Sequence, residues 1–197
     1  MEITLDIETS GLKPDEDFIT CIGVGSEYGF HQFSAPASEF RSDHIFAEEH
    51  LLLAAREHCD ILMGAHPACV ITYNGIGFDV PFIDRRAGIQ KIIASFTLPK
   101  THVDVSVFVK RVFGRNTTKD EACFKLCNLY CPKMMSGLML ARLYKSGTVS
   151  DTQHVEMLQH NALDLGATLR MHRALQQFPD YRAFLAESGV DFNGIPK

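Results

Sequence analysis

The sequence predicts an α/β domain with a mixed central β-sheet flanked by helices. The first three strand-like segments are residues 2–7, 18–24 and 28–33. The turn-forming run Gly25-Ser26-Glu27 joins the second and third segments, which indicates a meander. An amphipathic helical stretch over residues 42–63 and a short apolar strand over residues 68–73 come next. This order predicts a sheet with both antiparallel and parallel neighbours, centred on the first strand.

The second half of the chain is predicted to be mostly helical. The segments with helical periodicity are residues 80–87, 120–131, 136–146 and 153–177. Asp79 stands directly before the first of them, where an aspartate commonly acts as N-cap. Residues 103–107 fit either a strand or the start of a helix. The Pro-, Gly- and Asn-containing tail of residues 188–197 is expected to be loosely held.

Length and composition are those of one soluble globular domain. We expect a single domain over residues 1–197 with its core in residues 2–177. The first residues lack the basic and apolar regions of a signal peptide, and no apolar run approaches the ~20 residues of a membrane span. Six cysteines in a chain of this size are expected to be reduced thiols. We therefore expect a cytoplasmic protein with no membrane association.

The charges are unevenly distributed. The chain carries a net charge of −5, but residues 85–133 hold ten bases against three acids, which leaves +7 there and −12 elsewhere. A basic middle segment could form a flank that binds phosphates. Scattered, solvated surface charges are the alternative explanation.

Four carboxylates in three separate blocks are the most informative feature of the sequence. The blocks are Leu5-Asp6-Ile7-Glu8-Thr9-Ser10-Gly11-Leu12, Tyr73-Asn74-Gly75-Ile76-Gly77-Phe78-Asp79 and His160-Asn161-Ala162-Leu163-Asp164. Asp6 and Glu8 are two apart on a strand, so their side chains leave the same face, ~7 Å apart along the chain. Acids gathered in one fold repel each other unless a cation holds them. The pattern thus indicates a divalent-metal site and phosphodiester hydrolysis.

Each block also has a simpler explanation when it is taken alone. Asp79 could serve only as a helix cap, although Gly75 and Gly77 before it would let the backbone approach a ligand closely. His160 and Asp164 are four apart and share one helix face, where they could form a surface pair. Their helix is rich in leucine, so Asp164 is expected to be buried, and a buried acid favours a nearby cation.

Taken together, the three blocks resemble the DEDD exonucleases of the ribonuclease-H-like superfamily, most closely the YprB-like group of predicted exonucleases. The resemblance extends over about residues 2–175. Its motifs are Leu5-Asp6-Ile7-Glu8-Thr9 with Gly11-Leu12, then Tyr73-Asn74-Gly75 with Phe78-Asp79, and finally His160-Asn161 with Asp164. The chain departs from the pattern at His160, which stands at the spacing of a tyrosine.

This resemblance implies a ribonuclease-H-like three-layer fold and a metal-dependent 3′→5′ exonuclease. Such an enzyme hydrolyses single-stranded or terminal nucleic acid and releases 5′-mononucleotides. The resemblance implies two Mg²⁺ or Mn²⁺ ions, one on Asp6, Glu8 and Asp164, and the other on Asp6 with Asp79. His160 would accept or orient the proton of the attacking water. The residues expected to contact the substrate are Thr9, Tyr73, Asn74 and Phe78.

Other functions remain open from the sequence. The chain could be a nucleic-acid-binding module that does not cut, serving a helicase or nuclease partner, or a hydrolase of small phosphodiesters. No motif identifies a contact to a 2′-hydroxyl, so DNA and RNA are both candidate substrates.

Two further groups of residues are candidate sites. Cys123 and Cys131 would be ~12 Å apart on a helix, too far for one metal ion, so Cys123, Cys127 and Cys131 are expected to be buried thiols. His102 and Asp104 could line the cleft, or Asp104 could have a structural role.

Overall fold

In the computed structural model, residues 1–26, 28–65, 69–92, 101–130 and 135–189 are described. Within these ranges the strands are β1 (Glu2–Thr9), β2 (Ile19–Ser26), β3 (Gly29–Phe33), β4 (Cys69–Thr72) and β5 (His102–Asp104). The helices are α1 (Ala37–Ala65), α2 (Asp79–Ile89), α3 (Val105–Phe113), α4 (Lys119–Cys127), α5 (Gly137–Lys145), α6 (Asp151–Leu175) and α7 (Pro179–Glu187). The expectations for Glu27, Ala68, Cys131 and the tail from residue 190 onwards lie outside the described residues.

The strands form one five-stranded sheet in the order β3-β2-β1-β4-β5. β1 pairs antiparallel with β2, with Ile7 opposite Ile22, and parallel with β4, with Ile3 opposite Val70. β5 continues the sheet parallel to β4. The predicted mixed sheet centred on the first strand is therefore confirmed.

Apolar residues from the sheet and the helices form two core clusters. One joins β1 and β2 to α1 and includes Leu5, Ile22 and Leu52. The other joins β4 and β5 to α3, α6 and α7, and Met171 and Tyr181 are fully enclosed in it. The helices thus flank the sheet, and within the described ranges none of them is long and apolar enough to cross a membrane.

The structure differs from the sequence expectations at α1 and α7, and it decides between the alternatives for residues 103–107. α1 begins at Ala37 and contains a non-helical residue, Asp43, whose Oδ1 accepts the N–H groups of Ile45 and Phe46 and restarts the helix. Residues 103–107 form both candidate structures, since β5 ends at Asp104 and α3 begins at Val105. α7 was not predicted, and it starts at a proline, a residue that suits the first turn of a helix.

Capping residues fix where the two helices nearest the site begin. Thr118 and Glu121 form a capping box at the start of α4, and Ser150 and Gln153 form one at the start of α6. Each box satisfies backbone N–H groups that have no partner within the helix. These caps set the positions of the side chains that α4 and α6 contribute to the site.

Candidate active site

The candidate site lies at the carboxyl end of β1, where this strand extends beyond its parallel neighbour. β4 pairs only with Glu2–Thr4 of β1, so Asp6 and Glu8 lie past the last paired residue. Carboxyl ends of parallel strands in α/β sheets are a common place for ligand sites. Asp6 is buried and Glu8 is partly buried.

Asp79 reaches the same region from α2, but not as a helix cap. The expected capping role is wrong, because the N-cap of α2 is Phe78, which makes no side-chain capping bond, and Asp79 is the first helical residue. Its Oδ1 instead accepts the backbone N–H of Ile7 at 3.0 Å. The carboxylate therefore pairs with the edge of β1 that β4 leaves uncovered.

α6 brings His160 and Asp164 to β1. Nδ1 of His160 lies 2.8 Å from Oε1 of Glu8, and its side chain is only 10% exposed. One ligand atom from each of Glu8, His160 and Asp164 lies within 4.8 Å of the others. Asp6 and Asp79 are outside this close group.

This donor set fits a divalent metal ion. Mg²⁺ prefers oxygen ligands at ~2.1 Å, and Mn²⁺ accepts carboxylates and imidazole, so neighbouring ligand atoms lie about 3–4 Å apart. The carboxylates of Glu8 and Asp164 are suited to such an ion, and His160 stands beside them. In addition, Nε2 of His160 is buried and has no hydrogen-bond partner among the described residues.

Lys119 is a member of the site that the motifs did not reveal. It is the first residue of α4, and its Nζ lies 3.1 Å from Oδ1 of Asp6 and 3.4 Å from Oδ2 of Asp164. The ammonium is also 5.8 Å from the centre of the Tyr73 ring. The basic middle segment was the available signal, but it did not single out one lysine.

Asn161, on α6, orients Asp6 through hydrogen bonds. Its Nδ2 donates to Oδ2 and to the backbone carbonyl of Asp6, at 3.0 and 3.2 Å, and its Oδ1 accepts from Nε2 of Gln32 at 3.0 Å. A side chain on Gly23 would place its Cβ 2.1 Å from Oδ1 of Asn161, so this position of β2 must stay small. Asn161 was part of the third motif, but no role was predicted for it.

The electrostatics of the cluster follow from burial and crowding. Burial raises the pKa of Asp6 well above its usual value; Lys119 opposes this, and the neighbouring acids add to it. Burial likewise raises the pKa of Asp79 to about 6, against the lowering effects of Lys119 and of the bond from Ile7. Burial alone would lower the pKa of Lys119, but Asp6, Asp164 and Asp79 outweigh it and raise that pKa. A cation is therefore electrostatically favoured in this cluster.

Asp104 is not one of the clustered acids but holds the turn that leads to Asp79. Its Oδ1 accepts the N–H groups of Asn74, at 2.8 Å, and Ser106, at 3.0 Å, and its Oδ2 accepts that of Ile76 at 3.2 Å. Asp104 is also the N-cap of α3. Its role among these contacts is structural. His102 bonds to the hydroxyl of Thr72 through Nε2 and so packs against β4.

A cleft of about 410 Å³ opens beside Glu8. Its lining includes Glu8, Thr9, Leu12, Phe78 and Leu138. Its size lies in the ~300–1,000 Å³ range of small-ligand pockets, and most of its wall is apolar. Thr9 and Phe78 thus line the cleft, whereas Leu12 and Leu138 were not predicted.

Tyr73 and Asn74 lie on the other side of the cluster. The Tyr73 hydroxyl donates to the carbonyl of Thr117 at 3.4 Å, and Oδ1 of Asn74 accepts from Nζ of Lys110 at 3.4 Å. Cys123 is fully buried, as expected, and Cys127 partly so.

Fold and site together define an α/β protein with an acidic cluster at the end of its central strand. The RNase_H superfamily profile matches residues 3–176, and the chain belongs to that family. A search of curated proteins gave no significant match.

Solved structures share the fold at low sequence identity. The family B DNA polymerase of Pyrobaculum calidifontis matches with a TM-score of 0.70 and 15% identity, over 99% of this chain and 26% of the polymerase. The chain therefore spans about a quarter of that protein. Brucella melitensis NrnC bound to pGG matches with a TM-score of 0.53 and 16% identity, over 95% of this chain and 79% of NrnC. The expected ribonuclease-H-like fold is confirmed.

Proposed function

We propose that this protein is a divalent-metal-dependent 3′→5′ exonuclease that removes 5′-mononucleotides from single-stranded or terminal nucleic acid. The observation that carries the proposal is the convergence of four acids from distant parts of the chain beside an open cleft. Asp6 and Glu8 come from β1, Asp79 from α2 and Asp164 from α6. Such a cluster raises its own electrostatic energy unless it binds cations, so its presence favours a metal-dependent function.

The residues divide into those that hold the cation and those that handle the proton. Asp6, Glu8, Asp79 and Asp164 supply the carboxylate oxygens. A bound Mg²⁺ or Mn²⁺ would activate water and neutralise the charge that develops on the phosphate and the leaving 3′-oxygen. The resemblance implies two ions. Lys119 already pairs with Asp6, whose carboxylate the second ion would also need.

His160 is suited to take or orient the proton of the water. If Nδ1 gives its hydrogen to Glu8, which lies 2.8 Å away, the lone pair falls on Nε2, which is buried and has no partner among the described residues. The carboxylate thus selects the tautomer in which Nε2 is the base. A positioned general base of this kind accelerates reactions by about 10²–10⁴.

The cleft beside Glu8 supports a terminal nucleotide as substrate. Leu12 and Leu138 are 73% and 58% exposed, and Phe78 faces the same space. Apolar and aromatic side chains at the mouth of a cleft can stack on a base without selecting its identity. Brucella melitensis NrnC, which shares the fold, has been solved bound to pGG, and this is consistent with a nucleotide substrate.

The test is incubation of the purified protein with end-labelled single-stranded DNA and RNA oligonucleotides, with Mn²⁺, with Mg²⁺ and with chelator. We expect metal-dependent shortening from the 3′ end and release of mononucleotides with a 5′-phosphate. Asp6→Ala and Glu8→Ala should each abolish it. Asp84→Ala removes an exposed acid of α2 outside the cluster and should keep wild-type activity.

Three results would contradict the proposal. Wild-type activity in purified Asp6→Ala or Glu8→Ala would exclude the cluster as the catalytic centre. Binding of oligonucleotides without hydrolysis in Mn²⁺ would identify a nucleic-acid-binding module, and hydrolysis of dinucleotides or small phosphodiesters alone would identify a different substrate class.

A further inference from the structure

Lys119 is held in the cluster more firmly than a surface lysine is. The side chain is 13% exposed, and the backbone is fixed by the capping box of Thr118 and Glu121. The Tyr73 ring covers it at 5.8 Å. A lysine usually keeps its ammonium in water, so the burial of this one requires charge partners.

The ammonium occupies a cation position on the Asp6 side of the cluster. Its partners are Asp6 and Asp164, at 3.1 and 3.4 Å, and Asp79 also acts on it electrostatically. These are the acids available to an ion on the Asp6 side of the cluster. A divalent ion bound there would sit within a few ångströms of the ammonium and would be repelled by it.

Glu8 and the imidazole of His160 form the other side of the cluster. Glu8 and Asp164 belong to the close group of ligand atoms beside His160. Mg²⁺ and Mn²⁺ often bind through one or two carboxylates and complete their coordination with water and substrate phosphate. Asp164 is then shared between the ion and Lys119.

We propose that this centre binds one divalent ion, on Glu8 and Asp164, and that the ammonium of Lys119 supplies the second positive charge. The catalytic part of this inference rests on the proposed phosphodiester hydrolysis. In that reaction water adds to the phosphorus of the terminal nucleotide, and the bond to the 3′-oxygen of the preceding nucleotide breaks. The 3′-oxygen leaves with a proton, and Lys119 stabilises the charge on the phosphate.

The decisive measurement is the number of Mn²⁺ ions bound per chain, determined by isothermal titration calorimetry and by electron paramagnetic resonance of free Mn²⁺. We expect one ion for the wild type, both alone and with a bound oligonucleotide whose terminal linkage is a non-hydrolysable phosphorothioate analogue. Lys119→Met keeps an unbranched side chain but removes the charge, and should bind a second ion. Lys119→Arg keeps the charge and should bind one.

Lys125→Met is the matched control, because Lys125 lies on the same helix, is exposed and contacts the Phe113 ring. It should bind one ion. Two ions in the wild type, with or without oligonucleotide, would overturn the proposal. So would a folded Lys119→Met variant that still binds one. If Lys119→Met does not fold, the stoichiometries of the wild type and Lys119→Arg decide, and two ions in either would overturn the proposal.

Activity adds an independent readout. Lys119→Met should lose about 10²–10³ in rate at low Mn²⁺, as when an electrostatic donor is removed, and regain activity as Mn²⁺ fills the second position. If no Mn²⁺ concentration restored the rate of Lys119→Met, a metal ion would not be able to replace the ammonium, and the proposal would be contradicted. The number of bound ions is measured without turnover. A protein that binds one ion but cuts no oligonucleotide would therefore disprove the nuclease function, while the proposal of one bound ion would stand.

Discussion

Nδ2 of Asn161 donates two hydrogen bonds to one residue, Asp6: to its carboxylate at 3.0 Å and to its backbone carbonyl at 3.2 Å. Both acceptors on Asp6 are oxygens, so the amide of Asn161 can only present its NH₂ group to them. Asp6 meets Lys119 through its other carboxylate oxygen. The carboxylate is thus fixed from two directions, and its plane is set before any ligand binds.

Asn161→Ala should weaken metal binding and catalysis without removing a ligand. Loss of an outer hydrogen-bond partner in a metal site typically costs 10–100-fold in affinity or activity, and Asn161 acts on this site through Asp6, the partner of Lys119. We expect a decrease of this size in Mn²⁺ affinity, measured by calorimetry. The variant also leaves buried acceptors unsatisfied, which destabilises the fold by about 1–3 kcal/mol.

Gln32→Ala provides the comparison. Gln32 donates to Oδ1 of Asn161 but does not touch Asp6, so its removal should reduce Mn²⁺ affinity less than Asn161→Ala does. A purely structural role for Asn161 would appear as a lower melting temperature with unchanged Mn²⁺ affinity.

Asp104→Ala should loosen the turn that leads to Asp79. The carboxylate of Asp104 accepts three backbone N–H groups, two of them from the turn, at Asn74 and Ile76. We expect faster amide hydrogen exchange at these two residues and a loss of about 1–3 kcal/mol in unfolding free energy. Asp104→Asn keeps one acceptor oxygen and should fall between the wild type and Asp104→Ala. Unchanged exchange at Asn74 would show that the turn does not depend on Asp104.

Much of the fold could be predicted from the sequence because its signals are local. The alternation in β1 and the helical spacing of His160 and Asp164 depend only on neighbouring residues. The central position of β1 also followed from the order of the elements. α7 escaped prediction because its buried residues, Tyr181 and Leu185, show their role only when packed against other helices.

The parts of the site that escaped prediction depend on tertiary contacts. Lys119 is far in sequence from both of its acidic partners, and nothing near it in the chain marks it out from the other bases. Asp79 occupies a sequence position typical of a cap, yet its carboxylate bonds to Ile7 because β4 ends early and leaves that N–H without a strand partner. The partner of the Asp79 carboxylate is thus decided by which backbone groups remain unpaired after the sheet forms.

The metal-free protein should become less stable as the pH rises towards neutrality, because Asp79 ionises in that range. The pKa of Asp79 in the folded protein is raised from 3.8 to about 6, chiefly by burial. Its contribution to stability is therefore full below pH ~4 and is lost as the pH rises through ~6. Asp79→Asn cannot ionise, while its amide oxygen can still accept the N–H of Ile7.

In chelator, the unfolding free energy of Asp79→Asn relative to that of the wild type should therefore increase between pH ~4 and ~7, on the order of 1–3 kcal/mol. Urea denaturation at several pH values measures this difference. Parallel profiles for the two proteins would contradict the raised pKa of Asp79.

His160→Ala separates proton transfer from metal binding. Glu8 accepts the hydrogen of Nδ1 of His160 and so leaves Nε2 as the base. The substitution should therefore lower kcat by about 10²–10⁴, while the Mn²⁺ affinity should change by less than tenfold. Pulsed electron paramagnetic resonance of the Mn²⁺-bound wild type should show no directly coordinated nitrogen. A strong nitrogen coupling, lost in His160→Ala together with Mn²⁺ affinity, would instead make His160 a metal ligand.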